Sequence, residues 1–305
     1  MGLIREKLLP KTRGKVAVIG SGPAGLTIAG DLARQGFNVE IFEMEQEAGG
    51  VLMFGIPEYR LPKDIVRREI KKTEELGVVF HCNTTVGKDG LNVDKLFEMG
   101  FDAIFMGTGT GKPKKLDIPG CNLEGVRQAI WFLRRVSLYN EGNLSRDEVV
   151  VKEGNKVFVI GCGNTAMDAA RMAIRTKGVE DVTVVYRRSE EEMPADREEY
   201  ELALSDGVKF VFLASPSTVV DGLMTVKKMV LGEKDASGRR KPVDSGETFT
   251  LDCTYLISAI GEKADENVLK AIGLTEDDKV YVIGDTKTGP STVVRCIASA
   301  QSAVD

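Results

Sequence analysis

Residues 15–43 read KVAVIGSGPAGLTIAGDLARQGFNVEIFE and residues 156–188 read KVFVIGCGNTAMDAARMAIRTKGVEDVTVVYRR; the resemblance between these stretches decides the fold. Each begins with a short run of valine and isoleucine, which is typical of a buried strand in a parallel sheet. A glycine-rich turn, an alanine-rich stretch with helical character and a second β-branched run follow in both. The repeat predicts an α/β chain with two Rossmann-like dinucleotide-binding domains, each built on a strand–helix–strand unit.

The composition is that of an ordinary globular protein. The 305 residues suffice for about two domains, and 42% hydrophobic with 29% charged residues disfavours a disordered or fibrous chain. A net charge of −5 disfavours nucleic-acid binding, which needs a basic surface. The longest run without a charged residue, 16–30, has only 15 residues, so no membrane span is expected. The first 15 residues lack the apolar core of a signal peptide, and we expect a cytoplasmic protein.

The cysteines and the single histidine exclude several kinds of site. No two cysteines are spaced as Cys-x-x-Cys, which excludes zinc ribbons, ferredoxin-type clusters and a thioredoxin-like dithiol, and no metal site is predicted. Cys162 is interpreted as a small residue of the second glycine turn. His81 lies in a predicted strand without a partnering motif, which disfavours a histidine-dependent triad. The five cysteines are Cys82, Cys121, Cys162, Cys253 and Cys296.

The first glycine turn, GSGPAG at 20–25, stands between a predicted strand and a predicted helix. Gly20 permits the tight turn, Gly22 lets a pyrophosphate approach the backbone, and Gly25 allows the helix to pack closely on the strand. Free N–H groups at the helix N-terminus favour the phosphates. Glu43 ends the second strand, where a carboxylate accepts hydrogen bonds from ribose hydroxyls. The alternative is a glycine turn that holds no ligand.

The second glycine turn, GCGNTA at 161–166, has alanine in the place of the third glycine. Its second strand ends at Tyr186, and Arg187 and Arg188 follow directly. No carboxylate stands at this strand end to repel a 2′-phosphate, and guanidinium groups bind phosphate strongly and directionally. The site therefore predicts NADP(H) rather than NAD(H). The alternative is a pair of solvated arginines at a strand end.

Two nucleotide sites in one chain point to a flavin, because a nicotinamide exchanges hydride with a flavin stacked on it. The Glu43 site is therefore predicted to hold FAD, and the stretch AGGVL (48–52) could pass close to it. Near the C-terminus a strand leads to Asp285, predicted to bind the ribityl chain. A helix start near Thr292 is predicted to stabilise the reduced flavin through its dipole. The alternative for this tail is a capped helix after a core strand.

Weaker patterns organise the remaining chain. Residues 62–76 predict a surface helix, and 111–125 predict a linker. Residues 223–233 and 248–257 predict the two strands of a hairpin, joined by the polar connection 234–246.

From about residue 15 onward the chain resembles the small (β) subunit of NADPH-dependent glutamate synthase and its relatives, which include the flavin–NADPH half of dihydropyrimidine dehydrogenase and subunits of ferredoxin-linked NADP oxidoreductases. The motifs are VIGSGPAG (18–25), GGVLMFGIPEYRLPK (49–63), GNTAMDAAR (163–171), YRRS…MPA (186–195), SAIG (258–261) and GD…TGPSTVV (284–294). The resemblance implies FAD contacts from Gly20, Gly22, Pro23, Ala24, Gly25, Glu43, Gly50, Leu52, Arg60, the backbone near Val86, Thr108, Gly109, Gly284, Asp285, Thr292 and Val293. It implies NADP(H) contacts from Gly161, Gly163, Asn164, Thr165, Arg187, Arg188 and the backbone of Ser258 and Ala259.

The resemblance also implies nested domains, with an FAD-binding domain formed by 1–125 and 278–305 and an NADPH-binding domain at 126–277. Members of this type usually carry an N-terminal region with cysteine-ligated iron–sulfur clusters, whereas here 14 residues precede the first strand and none is cysteine. Electrons are therefore expected to pass to a partner protein, either a large synthase subunit or an iron–sulfur protein, or to a small acceptor. The sequence ends within the last predicted helix.

The sequence thus predicts an FAD-dependent NADPH:acceptor oxidoreductase of the glutamate synthase small-subunit type. Hydride transfer needs no side-chain acid or base, so no catalytic residue is predicted. A stand-alone NAD(P)H diaphorase or a ferredoxin- or sulfide-type oxidoreductase is one alternative. A non-catalytic nucleotide-binding subunit that senses redox state is the alternative of another class.

Overall fold

A computed structural model of the chain describes residues 9–149, 154–236, 238–273 and 279–303. The chain divides into two compact units, of which one comprises residues 1–112 and 262–305 and the other residues 113–261. The first unit is therefore built from two separated segments, whereas the second is one continuous segment.

Helices and strands alternate along most of the chain. The strands are β1 (Lys15–Ile19), β2 (Asn38–Phe42), β3 (Val79–His81), β4 (Ala103–Met106), β5 (Lys112–Pro113), β6 (Val126–Gln128), β7 (Asn155–Ile160), β8 (Val179–Tyr186), β9 (Lys209–Phe212), β10 (Ala214–Val220), β11 (Leu223–Lys234), β12 (Arg240–Asp252), β13 (Tyr255–Ser258), β14 (Glu262–Lys263) and β15 (Val280–Val282). The helices are α1 (Pro23–Arg34), α2 (Val51–Phe54), α3 (Lys63–Glu75), α4 (Val93–Glu98), α5 (Ala129–Asn140), α6 (Asn164–Arg175), α7 (Arg197–Ser205), α8 (Glu266–Ile272), α9 (Asp285–Thr288) and α10 (Val293–Gln301). Among the described residues, no helix combines the length and the apolar character that crossing a membrane requires.

The main sheet of the first unit is parallel throughout, in the order β15-β4-β1-β2-β3. Successive residues of β1 point to opposite faces, so that Val16 and Val18 lie in one apolar core while Ala17 and Ile19 lie in the other. Helices α1 and α10 contribute to the core that holds Val16 and Val18. Because both faces are covered, β1 is apolar at every position after Lys15 and does not alternate with polar residues.

The second unit repeats this arrangement with a parallel sheet in the order β6-β13-β7-β8-β9. Val157 and Val159 of β7 face a core that includes residues of α5 and α6, and Phe158 and Ile160 face the opposite core. The antiparallel sheet β10-β11-β12 contributes to that opposite core. The α/β class with parallel sheets, predicted from the repeat, is thus observed in both units.

The long hairpin of the second unit differs from the sequence prediction. Strands β11 and β12 pair from Leu223 with Asp252 to Lys234 with Arg240, so the connection is much shorter than residues 234–246. Most residues of β12 are exposed. An exposed strand can carry polar residues, as a loop does, so its composition resembles that of a connection. Residues 255–257, predicted to end the hairpin, belong instead to β13, which is buried and pairs in parallel with β7.

The chain passes from the first unit to the second between residues 112 and 113 and returns to the first between residues 261 and 262. The resemblance implied these boundaries at 125/126 and 277/278. Residues 113–125 belong to the second unit, where the Val219 N–H donates to the Pro119 carbonyl at 2.9 Å. Residues 262–273 belong to the first unit, where Ile272 is buried in the core on the Ile19 side of the sheet. These contacts are tertiary, and proline and glycine content alone does not reveal them.

Candidate functional site

The first glycine turn joins β1 to α1 so closely that only glycine fits. A Cβ at Gly25 would lie 1.9 Å from the carbonyl oxygen of Gly20, and a Cβ at Gly20 would lie 2.6 Å from the carbonyl oxygen of Gly107. Gly20 also has a φ of +93°, which side chains rarely adopt. The turn therefore holds the start of α1 against the carboxyl ends of β1 and β4.

Gly22 faces open space, in contrast to its neighbours. Among the described residues, no atom outside Gly22 and its chain neighbours lies within 4 Å of the position that a Cβ would take there. Gly22 is the N-cap of α1, no side chain caps the helix, and Pro23 occupies its first turn. The first N–H groups of a helix attract anions, both as donors and through the helix dipole. The gap and these donors fit the pyrophosphate of a dinucleotide.

The buried Glu43 is bonded directly to the first glycine turn. Its Oε2 accepts hydrogen bonds from the Ser21 N–H at 3.0 Å and the Ser21 hydroxyl at 2.5 Å, and its Oε1 accepts one from the Glu45 N–H at 2.8 Å. The Ser21 hydroxyl oxygen in turn accepts a hydrogen bond from the Gly49 N–H at 2.9 Å. One carboxylate thus joins the glycine turn to the loop after β2, and its contact with a ribose stays a prediction.

The loop after β2 passes close to the glycine turn. The sequence predicted that residues 48–52 pass close to FAD, and that contact stays a prediction. Gly50 has a φ of +53°, and a Cβ there would lie 2.8 Å from the Cα of Gly22. The short helix α2, which contains Leu52, follows directly. Lys63 stabilises its end, since the buried Nζ donates to the carbonyls of Leu52 at 2.9 Å and Ile56 at 2.5 Å. Sequence reasoning missed Lys63, because nothing local distinguishes it from the surface lysines of α3.

The C-terminal segment completes the first site. The Thr286 hydroxyl accepts a hydrogen bond from the Gly109 N–H at 2.8 Å, which joins the loop after β4 to the start of α9. Asp285 begins α9, and its Oδ1 accepts hydrogen bonds from the Ser291 hydroxyl at 2.5 Å and the Cys296 thiol at 3.0 Å. A Cβ at Gly284 would lie 2.6 Å from the Cβ of Ala24, so Asp285 lies near the start of α1.

The structure shows fewer contacts for the remaining residues that were predicted to bind the flavin. Thr292 is the N-cap of α10 and accepts a hydrogen bond from the Arg295 N–H at 3.4 Å, and Val293 begins the helix. The Val86 side chain is buried, and its N–H donates to no other residue in the described part of the chain. Arg60 lies in an exposed turn between α2 and α3. The structure therefore brings together the glycine turn at 20–25, the loop after β2 at 48–50, Glu43 and the loops that hold Gly109 and Asp285.

The second glycine turn repeats the close approach with other partners. Gly161 has a φ of +122°, and a Cβ there would lie 2.3 Å from the carbonyl oxygen of Ala259. The Asn164 side chain exchanges two hydrogen bonds with Asp196, at 2.7 and 2.9 Å, and its contact with a nucleotide stays a prediction. In the part of the chain that the structure describes, a Pro194 side-chain carbon, at 3.9 Å, is the one atom outside the chain neighbours of Gly163 that lies within 4 Å of its Cβ position. The open backbone beside a helix N-terminus again fits a pyrophosphate.

Ser258 ends β13 beside this second turn. Its hydroxyl is buried and has no hydrogen-bond partner among the described residues. The neighbouring Ala259 N–H donates to the Ile160 carbonyl at 2.8 Å, which holds the strand end against the turn. Buried hydroxyls are usually hydrogen-bonded, so the Ser258 hydroxyl is suited to a polar ligand.

The two arginines after β8 have different surroundings. Arg187 is exposed and makes no hydrogen bond or ion pair with any residue that the structure describes. Arg188 is buried: its Nη2 donates to Asp235 at 2.5 Å and its Nε donates to the Arg240 carbonyl at 2.8 Å. Sequence reasoning missed Asp235 and Arg240, which stand on the hairpin and share no motif with the dinucleotide turn. The contact of Arg188 with a 2′-phosphate stays a prediction.

The cysteine in the second turn is not poised for redox chemistry. Burial raises the pKa of the Cys162 thiol to about 12, with a smaller contribution from the negative charge of Glu190. A thiol reacts as the thiolate, so Cys162 is inert at neutral pH. All five cysteines lie among the described residues and are unpaired. The interpretation of Cys162 as a packing residue agrees with its surroundings.

These features define a class of protein: a chain with two Rossmann-like units, each with a glycine turn suited to a dinucleotide. The chain belongs to the pyridine nucleotide-disulphide oxidoreductase family, which it matches over residues 14–300. It is 35% identical to a putative glutamate synthase [NADPH] small chain of Cereibacter sphaeroides, over 94% of this chain and 75% of that one. The resemblance to the glutamate synthase small subunits is thereby confirmed.

Two further comparisons describe the length and the fold. The putative oxidoreductase YgfK of Escherichia coli K12 is 42% identical over 310 residues, which are 96% of this chain but only 29% of that protein. The chain thus spans less than a third of this relative. The NADPH complex of FprA from Mycobacterium tuberculosis superposes with a TM-score of 0.81 at 22% identity, covering 96% of this chain and 84% of that one. This last similarity confirms the fold.

The approach of Gly50 to Gly22 predicts the effect of a single methyl group. We expect Gly50→Ala to weaken FAD binding about tenfold or more, because the methyl would push the two loops apart. Gly100→Ala is the matched control, since Gly100 also has a positive φ, +84°, but open space at its Cβ position. The visible flavin absorbance per chain after dialysis measures both. Equal loss of flavin in both variants would contradict the role of the close approach.

Glu262 lies beside the C-terminal loops of the first unit and has an unusual environment. Burial is the main cause that raises its pKa, and the negative charge of Asp285 adds to this effect. The hydrogen bond from the Thr110 hydroxyl, 2.8 Å long, opposes the shift in part. The folded protein therefore holds this proton more tightly than the unfolded chain does. The resulting stability is present below the unfolded pKa and is lost as pH rises through the folded pKa.

Glu262→Gln should accordingly raise the melting temperature at about pH 8 by about 2 °C and change it little near pH 4.5, because the amide keeps an acceptor for Thr110 and carries no charge. Thermal denaturation of wild-type and variant protein across this pH range measures the difference. Glu75→Gln, on the exposed end of α3, is the control and should show no such trend. A rise in melting temperature that is the same at every pH would contradict the conclusion that the buried charge of Glu262 destabilises the protein at high pH.

Proposed function

We propose that this chain is the flavin-containing part of an NADPH:acceptor oxidoreductase, with FAD at the first glycine turn and NADPH at the second. The observation that carries the proposal is the contrast between the two second strands. Strand β2 leads to the buried Glu43, which is bonded to the first turn, whereas β8 leads to the exposed Arg187. A carboxylate suits free ribose hydroxyls, and a guanidinium suits a 2′-phosphate.

At the first site, the backbone around Gly22 is proposed to bind the pyrophosphate and Glu43 the adenosine ribose. Asp285 is proposed to bind the ribityl chain, and its orientation is fixed by the hydrogen bonds from Ser291 and Cys296. The N-terminus of α10, at Thr292, offers a positive dipole end to the ring of the flavin. At the second site, the turn around Gly163 is proposed to bind the pyrophosphate.

When bound, FAD supplies the chemistry of the reaction, accepting hydride from NADPH and passing electrons on to an acceptor. The side chains of this protein bind and orient the two cofactors and exclude water. Hydride exchange requires no proton transfer by a side chain, so the proposal assigns no catalytic acid or base.

The electrons are proposed to leave to a partner protein. One relative is named as a small chain, and another is more than three times as long as the part it shares with this chain. Both observations support a catalytic centre that receives the electrons outside residues 1–305. A large synthase subunit or an iron–sulfur protein has suitable chemistry, and NADPH as donor fits a cytoplasmic location.

The visible spectrum tests this proposal. Purified protein, reconstituted with FAD if necessary, should lose its flavin band in an anaerobic titration with about one equivalent of NADPH, because a hydride carries both electrons. Addition of an electron acceptor should restore the band. A protein that binds no FAD would overturn the proposal, and one that binds FAD without reduction by NADPH would support a non-catalytic redox-sensing subunit.

Arg187 predicts the preference between the two nicotinamide cofactors. Arg187→Ala should raise the KM for NADPH about tenfold and that for NADH less than about twofold, because only NADPH carries the 2′-phosphate. Lys177→Ala is the matched control, since Lys177 is an exposed cation near the opposite end of β8. Steady-state kinetics with both cofactors measures the two variants. An equal rise for NADPH and NADH would exclude Arg187 as the phosphate ligand.

A further inference from the structure

Three glutamates, Glu190–Glu192, follow closely after the arginines of the proposed 2′-phosphate site. Carboxylates beside a bound phosphate repel it, so their charge must be balanced if NADP(H) is to be preferred. The structure shows a balancing group for each of the three, and one of these groups comes from a distant part of the second unit.

Glu190 is balanced by the helix that follows it. Its carboxylate accepts hydrogen bonds from Arg197 Nη1 at 2.5 Å and from the Tyr200 hydroxyl at 3.0 Å. Both donors belong to α7. The hydrogen bond from Arg197 is the main cause that lowers the pKa of Glu190, so the pair is fully charged at neutral pH.

Glu191 and Glu192 are balanced by Arg240, the first residue of β12. Arg240 Nη2 donates to Glu191 at 2.8 Å, and its Nε donates to Glu192, which also accepts a hydrogen bond from the Ser189 hydroxyl. The hydrogen bond from Arg240 is the main cause that lowers the pKa of Glu192. A single guanidinium, 48 positions from Glu192, thus faces two carboxylates.

The same hairpin end also fixes Arg188. Its Nη2 donates to Asp235 in the turn between β11 and β12, and its Nε donates to the carbonyl of Arg240. The Arg188 side chain is 6% exposed, and its charge is matched by that of Asp235. Arg187 is the arginine of the pair whose charge faces solvent. Its attraction for a phosphate therefore depends on how far the negative charges of Glu190–Glu192 are neutralised.

We infer that Arg240 is a specificity-determining residue for NADP(H), although it stands on a hairpin and not in the dinucleotide-binding motif. Its side chain neutralises Glu191 and Glu192, whereas its contact with Arg188 is made by the backbone carbonyl, so it acts through these glutamates and is a positioning residue rather than a phosphate ligand. The inference rests on the proposed function, because it requires that a 2′-phosphate binds next to Arg187.

Adenosine 2′,5′-bisphosphate and 5′-AMP isolate the effect, because they differ only in the 2′-phosphate. In calorimetric titrations of the FAD-loaded protein, Arg240→Met should weaken binding of the bisphosphate about fivefold and that of 5′-AMP less than about twofold. Arg240→Lys should keep most of the preference. Lys241→Met is the matched control: it removes the same charge from the next, exposed position of β12 and should leave both affinities unchanged.

Two further variants separate charge from structure. In an Arg240→Met background, Glu191→Gln together with Glu192→Gln should restore the affinity for the bisphosphate to within about twofold of wild type, because the unbalanced charges are gone. Glu191→Gln alone should tighten binding of the bisphosphate, since it removes an exposed negative charge and leaves Arg240 in place. This variant keeps the test decisive if Arg240→Met does not fold.

The outcomes distinguish the inference from the proposed function. Equal loss of both ligands in Arg240→Met, no rescue by the two glutamines, or weaker binding of the bisphosphate by Glu191→Gln would overturn the role of Arg240. Wild-type protein that binds the bisphosphate no better than 5′-AMP would instead overturn the proposed NADP(H) site. In wild-type protein the preference should also decline as salt is added, since exposed charges are screened within about 10 Å at 0.1 M salt.

Discussion

The carbonyl oxygen of Gly20 lies where a side chain at position 25 would begin, and the architecture of the first unit depends on this constraint. At 1.9 Å there is no room for a methyl group, so α1 can approach β1 this closely only because Gly25 has no side chain. The closeness directs the first N–H groups of α1 toward the open space beside Gly22. The second unit has Ala166 in the place of Gly25, and its closest approach is that of Gly161 to the Ala259 carbonyl, which corresponds to that of Gly20 to the Gly107 carbonyl.

Local sequence predicts the parts of this structure whose causes are local. The apolar run 16–19 and the glycines after it predict a strand, a turn and a helix, because burial and backbone freedom are properties of neighbouring residues. Pairings between distant side chains leave no such trace. Lys63 looks like any lysine of an amphipathic helix, yet its amine is buried against two carbonyls. Nothing local predicts that Arg188 is buried and donates a hydrogen bond to Asp235, 47 positions further along the chain.

The two sites control charge by different means. At the first site a buried carboxylate, Glu43, is held by backbone and hydroxyl donors, since a buried charge without such partners is costly. At the second site the glutamates that follow Arg187 along the chain form ion pairs at the surface, and each such pair contributes little on its own. The charge at the first site therefore depends largely on backbone donors, which substitutions do not remove. The charge at the second site depends on exposed side chains, which a few substitutions can change.

The order of the strands also determines the order in which the sites can form during synthesis. Residues 113–261 are continuous, so the second unit has all its strands before β15 is made. Strand β15 pairs with β4, and Asp285 follows it, so the first sheet lacks an edge strand until residues 280–282 have been translated. Domains generally fold as units while the chain emerges from the ribosome. The second unit can therefore fold on the nascent chain before the main sheet of the first unit is complete.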